Sequence, residues 1–111
     1  MKKSEQMAIN EEVRNMVSLF AKTLANEGTG TAEARRLRSC SAEVYKVGTF
    51  WALRSYRTTI AIIDTETDTL YDFLRLVYGY TATSAQHISK FGKDYGHSKW
   101  GCSNIKTYRA V

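Results

Sequence analysis

Apolar residues in the first quarter of the chain recur with the period of an α-helix. Over residues 4–27 they form one stripe, and polar residues occupy the rest of the helical surface: Ile9, Val13, Met16, Val17, Phe20 and Leu24. Ser4 or Asn10 could cap this helix, and Gly28 and Gly30 end it. The stripe predicts a helix packed on a core, with a homodimer interface or a partner's groove as alternatives.

The apolar period changes to two after Glu43, which is typical of β-strands. Four segments predict strands, at residues 44–47, 49–54, 58–64 and 69–73. A polar turn separates the last two. The third, which reads TTIAIID, is the most β-branched. Because the connections between these strands are short, the sequence predicts an antiparallel meander.

Further elements are predicted on either side of the meander. After Thr31, residues 32–38 predict a short helix, residues 83–95 predict another, and residues 105–109 predict an edge strand. A chain of 111 residues that is 43% hydrophobic can bury one modest core. We therefore expect a single α+β domain. Its N-terminal helix (4–27) packs on a small antiparallel meander of three to five strands (43–73), followed by a short helix and a basic-aromatic tail (96–111).

The net charge of +5 is distributed unevenly along the chain. Residues 28–60 and 81–111 each carry +4, residues 1–27 are neutral, and residues 61–80 carry −3. These basic blocks favour an anionic partner and argue against a mimic of DNA, which must be strongly negative. The candidate contact residues lie in the two blocks: Arg35, Arg36, Arg38, Arg54, Tyr56, Arg57, Lys90, Lys93, Tyr95, Lys99, Trp100, Lys106, Tyr108 and Arg109.

Aromatic residues alternate with basic ones in the predicted strand 49–54 and just after it. With a period of two, Phe50, Arg54 and Tyr56 share one face of the sheet and Trp51 takes the other. One face must be core. Strand aromatics beside arginine are also a common platform for stacking the bases of single-stranded nucleic acid.

Residues with catalytic or metal-binding chemistry are few and scattered. The turn at residues 64–68 carries three carboxylates, but Thr69 and Arg75 stand where an EF-hand needs Gly and Glu. Structural zinc sites use closely spaced ligands, whereas the cysteines and histidines lie apart, at Cys40, His87, His97 and Cys102. No phosphate-binding loop, GxSxG or HExxH motif occurs. We expect no cofactor, no metal and no enzymatic activity.

The sequence predicts a cytoplasmic location. The longest aliphatic run, residues 60–63, is far shorter than a membrane span, so we expect no membrane partner. Three glutamates in the first twelve residues interrupt any signal-peptide core. In the cytoplasm, Cys40 and Cys102 are expected as reduced thiols.

Two short motifs carry a resemblance to a known family. Residues 55–61 (SYRTTIA) resemble a Ser-Tyr-x-Thr-x-Ile-Ala strand, and residues 80–87 (YTATSAQH) resemble a Tyr-Ser-x-Thr-Thr-Ser-x-His helix start. The pair, in this order, is similar to a family of small uncharacterised proteins encoded by bacteriophages and their bacterial hosts. The resemblance covers residues 43–92 and implies a phage-type origin and a fold, but no reaction.

The second motif places polar side chains at a predicted helix start. Thr83 or Ser84 can cap the helix by accepting a hydrogen bond from a free amide, and His87 could turn back to the cap hydroxyl. A structural cap is the simplest interpretation. An anion site formed by Thr83, Ser84 and His87 and a catalytic His87 are the alternatives.

The leading functional hypothesis is a non-enzymatic, phage-type accessory protein that acts by binding in the host cytoplasm. Its expected partner is a host protein or nucleoprotein complex of nucleic-acid processing or defence, so that anti-CRISPR-like inhibition is included. Direct binding of DNA or RNA by the basic and aromatic residues is the first alternative. A small hydrolase or nuclease that uses His87 or the carboxylates of residues 64–68 is the second.

Overall fold

The computed structural model describes residues 2–27, 34–37, 41–56, 58–79, 81–96 and 105–111. Its elements in chain order are helix α1 (Lys3–Glu27), strands β1 (Arg35–Arg36), β2 (Ala42–Val47), β3 (Phe50–Ser55), β4 (Thr58–Asp64) and β5 (Thr69–Asp72), helices α2 (Leu74–Val77) and α3 (Ala82–Tyr95), and strand β6 (Lys106–Arg109). The strands form one sheet in the order of the chain.

The predicted α+β class and the antiparallel meander are confirmed, but the sheet is larger than expected. Strands β1 to β5 pair antiparallel, each with the next. Strand β6 extends the sheet beside β5 in the parallel direction, which gives six strands rather than three to five. The parallel pairing follows from the long connection through α2 and α3, because parallel neighbours need a crossover.

Helix α1 covers one face of the sheet with its predicted apolar stripe. Val13 and Phe20 are buried there, and the ring of Phe20 lies 5.8 Å from that of Phe50 and 6.4 Å from that of Tyr45. The buried residues of this face form one cluster with Val47, Ala52, Ile62, Tyr71, Phe73 and Ala110. The helix is therefore anchored on the sheet by burial of apolar area.

The N-terminal half of α1 is tied to the end of β6 by side-chain amides. Gln6 Nε2 donates to the carbonyl of Arg109 at 2.9 Å. Asn10 Nδ2 donates to the carbonyl of Val111 at 2.9 Å, and the Val111 amide donates back to Asn10 Oδ1 at 3.1 Å. Asn10 is therefore not a helix cap: it lies inside α1 and satisfies backbone groups just beyond the edge strand.

Helix α3 covers the opposite face. Ile88 and Phe91 of α3 are buried against a second cluster, which contains Leu37, Ala42, Val44, Leu53, Ile60, Ala61, Ile63, Leu70 and Leu74. Both faces of the sheet are therefore core. The expectation of a single buried face is wrong, because the chain returns after the meander and lays α3 on the side that α1 leaves open.

The helix predicted for residues 32–38 is not formed where the structure describes it. Arg35 and Arg36 form β1 and pair with β2. The amide of Leu37 donates to the carbonyl of Ala42 at 2.8 Å, and its side chain is buried in the α3-side cluster. Pairing with β2 and burial of Leu37 outweigh the local helix propensity. Thr31 lies outside the described residues.

Candidate functional site

The two motifs that carry the family resemblance meet in the core. Ser55, at the end of β3, begins the first motif, and Ser84 and His87 on α3 belong to the second. Ser55 Oγ lies 2.9 Å from His87 Nδ1 and 3.1 Å from Ser84 Oγ, within hydrogen-bond distance of both. All three side chains are buried, at no more than 3% exposure. This cluster joins α3 to β3 and satisfies polar groups that would be costly to bury unpaired.

The helix cap is not one of the two predicted residues. Thr81 caps α3, since its Oγ1 accepts a hydrogen bond from the Ser84 amide at 3.2 Å. Thr83 is exposed, and the hydroxyl of Ser84 bonds Ser55 instead. The helix begins at Ala82, so the predicted caps lie within its first turn.

The predicted anion site is not supported by the protonation state of His87. Burial lowers the pKa of His87 from its ordinary value of 6.5, and the nearby positive charge of Lys90 lowers it further. The imidazole is therefore neutral at pH 7 and gives an anion no positive charge. Ser84 and His87 anchor the start of α3 to Ser55, whereas Thr83 is exposed.

The candidate catalytic residues likewise form hydrogen bonds that stabilise the fold. Ser55 and His87 have the spacing of a nucleophile and its base, but Ser55 is too deeply buried for a substrate to reach it without local opening. In the turn, Asp64 Oδ1 accepts a hydrogen bond from the Glu66 amide at 3.0 Å, which stabilises the turn. Within the described ranges, no three His, Cys, Asp or Glu side chains are grouped to hold a metal ion. Cys40, His97 and Cys102 lie outside those ranges.

A pocket with basic and aromatic walls lies on the α3 side of the sheet, across β1, β2 and β3. The two-residue turn at Gly48 and Thr49, where Gly48 takes a φ of +57°, sets Lys46 directly opposite Trp51. Lys46 Nζ lies 4.7 Å from the centre of the Trp51 ring, a cation–π distance. Arg35 lines the same cavity of about 170 Å³. We call this cavity, lined by Arg35, Val44, Lys46 and Trp51, the Trp51 pocket.

The Trp51 ring is held in place from the helix side. The ring of Tyr95, in the last turn of α3, lies 5.0 Å from it at a tilt of 56°. Tyr95 in turn packs at 5.7 Å against the fully buried ring of Phe91. Trp51 is half-buried, so part of its surface remains accessible beside two cationic side chains.

The other predicted contact residues do not form one surface. Arg54 pairs with Glu43 at 3.0 Å, and Arg109 pairs with Asp72 at 2.9 Å. Side-chain alternation along β6 sends Arg109 to the α3 side and sends Lys106 and Tyr108 to the α1 side, where Tyr108 stacks on Tyr71. Tyr56 is exposed in a turn, with φ +58°, and its ring lies 6.2 Å from His87. Four of the predicted contacts lie outside the described residues: Arg38, Arg57, Lys99 and Trp100.

Three of the four residues that line the Trp51 pocket were not among the predicted contacts: Val44, Lys46 and Trp51. Lys46 and Trp51 are five positions apart in the sequence, and only the register of the β2–β3 hairpin brings them together. The signal that could have found them is Gly48, because a two-residue turn there fixes which residues lie opposite each other.

Comparison with known proteins adds no relative: no family model, curated protein or solved structure matches the chain. The resemblance to the phage family therefore stays an expectation that rests on its two motifs. Over the described ranges, no helix has both the length and the apolar character needed to cross a bilayer.

Proposed function

We propose that the chain is a non-enzymatic binding protein whose α3 side contacts single-stranded nucleic acid. The observation that carries this proposal is the Trp51 pocket, in which a half-buried indole lies beside Lys46 and Arg35. Bases stack on aromatic rings, and lysine and arginine bind the flanking phosphates. The pocket brings both kinds of group together at the surface of a rigid sheet.

The position of the ring supports stacking. Tyr95 fixes the indole from the helix side, so little conformational freedom is lost when a base binds. Lys46 lies over the ring in the free protein, and such an exposed contact is worth only about 0.5–1 kcal/mol. A base that stacks on Trp51 gains about 1–3 kcal/mol. It can therefore displace the ammonium, which remains within reach of the adjacent phosphate.

Further cations lie on the same side of the sheet. Lys90 and Lys93 belong to α3, and Arg109 faces this side from β6. Arg109 shares its charge with Asp72, whereas neither lysine has an ion-pair partner among the described residues. A nucleic-acid strand that crosses α3 would meet positive charge on the helix and on both of its flanks, a distribution that attracts a polyanion.

Neutralising the Trp51 pocket is expected to weaken binding of oligothymidine and to reduce its salt dependence. Lys46→Gln and Arg35→Gln should each lower the slope of log affinity against log salt by about 0.7, the value for one phosphate contact on a single strand. Trp51→Leu should weaken affinity about 5- to 150-fold through lost stacking. Fluorescence anisotropy of a labelled oligonucleotide, measured at several salt concentrations, checks both effects.

The matched control is Lys22→Gln, which removes the same charge from an exposed position on α1, across the sheet. Its salt slope should equal that of the unmodified protein. If Lys22→Gln and Lys46→Gln reduce the slope equally, the attraction is a property of net charge and not of the pocket. No binding at low salt would overturn the proposal outright.

A protein partner, as in the hypothesis of an inhibitor of host defence, is a second candidate function. A separate apolar groove of about 360 Å³ between α1 and α2 supports it. Val17 and Ala21 of α1 and Phe73 line this groove, and Leu76 and Val77 of α2 extend it with exposed apolar side chains. Contiguous exposed apolar surface is typical of protein–protein contact sites.

We expect Val77→Lys to abolish capture of a specific host nuclease or defence protein. The control is Leu19→Lys, since Leu19 and Val77 are both 48% exposed and Leu19 does not line the groove. Affinity capture from host lysate, followed by reconstitution with the purified candidate, measures the effect. Equal retention of the candidate by both variants would remove the groove from the interface.

A further inference from the structure

A second cavity on the α3 side lies between α3 and β6. Its volume is about 380 Å³. This falls in the range of small-molecule sites, about 300–1,000 Å³. Its floor is apolar and is formed by Leu70, Ile88 and Ile105. Because α3 packs on β3 and β4, this α3–β6 cleft and the Trp51 pocket lie on opposite flanks of the helix.

The absence of a side chain at Gly92 widens this cleft. A Cβ at Gly92 would lie 3.4 Å from Leu70 Cδ1 and 3.6 Å from Ile105 Cγ2, which are ordinary contact distances. Packing therefore does not require glycine here, unlike at Gly96, where a Cβ would lie 2.7 Å from Ile105 Cδ1. Glycine inside a helix costs about 1 kcal/mol relative to alanine. The cleft is kept open at the expense of helix stability.

The guanidinium of Arg109, at the rim of the cleft, is held in position by a buried carboxylate. The buried carboxylate of Asp72 accepts a hydrogen bond from Arg109 Nε at 2.9 Å and another from the Leu74 amide at 3.1 Å. Asp72 is thus fixed by the backbone, and it holds Arg109 through Nε alone. The Arg109 side chain is 56% exposed, and no described residue accepts a hydrogen bond from its terminal nitrogens. These two groups form the fork that binds a phosphate in bidentate fashion.

The opposite wall supplies a second cation, and each wall supplies a hydroxyl. Lys93 and Ser89 line the cleft from α3, and Thr107 lines it from β6 beside Arg109. The two hydroxyls donate to carbonyls of their own segments at 3.4 and 3.3 Å, which are long hydrogen bonds. A phosphate oxygen is a stronger acceptor, so both hydroxyls can turn to it at small cost.

We propose that the α3–β6 cleft binds a small phosphorylated molecule with a planar or apolar body, of the size of a mononucleotide. The phosphate lies between Arg109 and Lys93, and the body packs on Leu70, Ile88 and the bare backbone of Gly92. The site does not depend on the Trp51 pocket, since the two cavities share no residue.

A titration with AMP, monitored through the amide signals of the NMR spectrum, tests this site. Binding should shift the amides of Ser89, Gly92, Lys93 and Thr107, with a dissociation constant of about 1 mM or lower. Adenosine and inorganic phosphate, which each lack one half of the ligand, should bind at least about tenfold more weakly. Absence of these shifts at an AMP concentration of about 5 mM, roughly five times this dissociation constant, would overturn the proposal. It would also be overturned if inorganic phosphate bound as tightly as AMP.

Two variants and a control assign the binding to the cleft. Gly92→Leu should abolish the AMP shifts by filling the floor, with an otherwise native spectrum. Lys93→Gln, on the surface of α3, should weaken AMP about fivefold or more, even if the leucine variant fails to fold. Lys106→Gln removes the same charge from the other side of β6 and should change affinity less than about twofold. Equal weakening by Lys93→Gln and Lys106→Gln would contradict the proposed site.

The same proteins separate this proposal from the nucleic-acid proposal. Gly92→Leu should still bind oligothymidine through the Trp51 pocket, while losing AMP. If AMP shifts only the Trp51 indole and leaves the amides of Ser89 and Thr107 unchanged, the cleft is not its site, and the proposed function remains intact. If oligothymidine fails to bind but AMP shifts the cleft amides, the nucleic-acid proposal is overturned and the cleft proposal remains intact.

Discussion

Phe91→Ala is expected to lower the free energy of unfolding by about 3–5 kcal/mol, the typical loss for a fully buried phenylalanine. Phe91 is 0% exposed and, with Ile88, packs α3 into its side of the core. Its ring also supports Tyr95, which in turn holds Trp51. The substitution should therefore loosen the Trp51 pocket, so that oligothymidine affinity falls even under conditions where the variant is folded.

Urea denaturation followed by circular dichroism measures the loss of stability. Phe91→Leu keeps most of the buried volume and should cost only about 1–2 kcal/mol. Tyr78→Ala removes an aromatic side chain of similar size from an exposed position and should change stability by less than about 0.5 kcal/mol. A loss below about 1 kcal/mol for Phe91→Ala would mean that α3 does not seal this face of the sheet.

Elements whose signal is local were predicted well. The apolar stripe of residues 4–27 corresponds to α1 at Lys3–Glu27, and the segment 83–95 corresponds to α3 at Ala82–Tyr95. The run of β-branched residues at 58–64 is β4. In each case the period of the apolar residues is set by neighbours a few positions apart, and tertiary contacts reinforce it.

Elements that depend on distant partners were predicted poorly. Arg35 and Arg36 lie in a segment with no strong strand signal, and they form β1 only because the edge of β2 is there to pair with. The parallel direction of β6 depends on the crossover through α3, which no local pattern encodes. Phe50 and Trp51 lie on opposite faces as predicted. Both faces are covered, however, because α1 and α3 pack on different sides.

The same distinction applies to the candidate site. The excess of positive charge was visible in the sequence, but its placement was not, because one residue of register decides which side of the sheet a lysine faces. Lys46 and Trp51 form the pocket through a cross-strand pairing. Lys106 and Tyr108 also form a contact between a lysine and an aromatic ring, but they lie on the α1 side. Ser55 and His87 lie 32 positions apart in the sequence, and only the packing of α3 on β3 joins them.

His87→Ala is expected to cost about 2–4 kcal/mol, because it leaves a cavity and removes a hydrogen-bond partner from the buried Ser55 hydroxyl. His87→Asn should cost less, about 1–2 kcal/mol, since the asparagine amide can occupy the position of Nδ1 and keep the bond to Ser55. The asparagine variant also removes the titrating group. Equilibrium unfolding of the three proteins at pH 7 gives both differences.

The pH dependence of the free energy of unfolding shows whether the buried imidazole of His87 is kept neutral in the folded protein. Burial and then Lys90 lower the pKa of His87 in the folded protein, whereas in the unfolded chain it titrates near 6.5. Below pH 6.5, His87 therefore binds a proton more readily in the unfolded state than in the folded state. Stability should fall as the pH is lowered from 6.5 towards the folded pKa, and this group should have no effect at higher pH.

The difference in stability between the unmodified protein and His87→Asn isolates this effect, because the two proteins differ in no other titratable group. The difference should be largest at about pH 7 and should shrink as the pH falls below 6.5, because the unmodified protein then loses the contribution of neutral His87. A constant difference over this range would show that His87 takes up its proton as readily in the folded state as in the unfolded state. The ring would then be accessible to solvent, and an acid–base or anion-binding role for the Ser55–His87 pair would regain its physical basis.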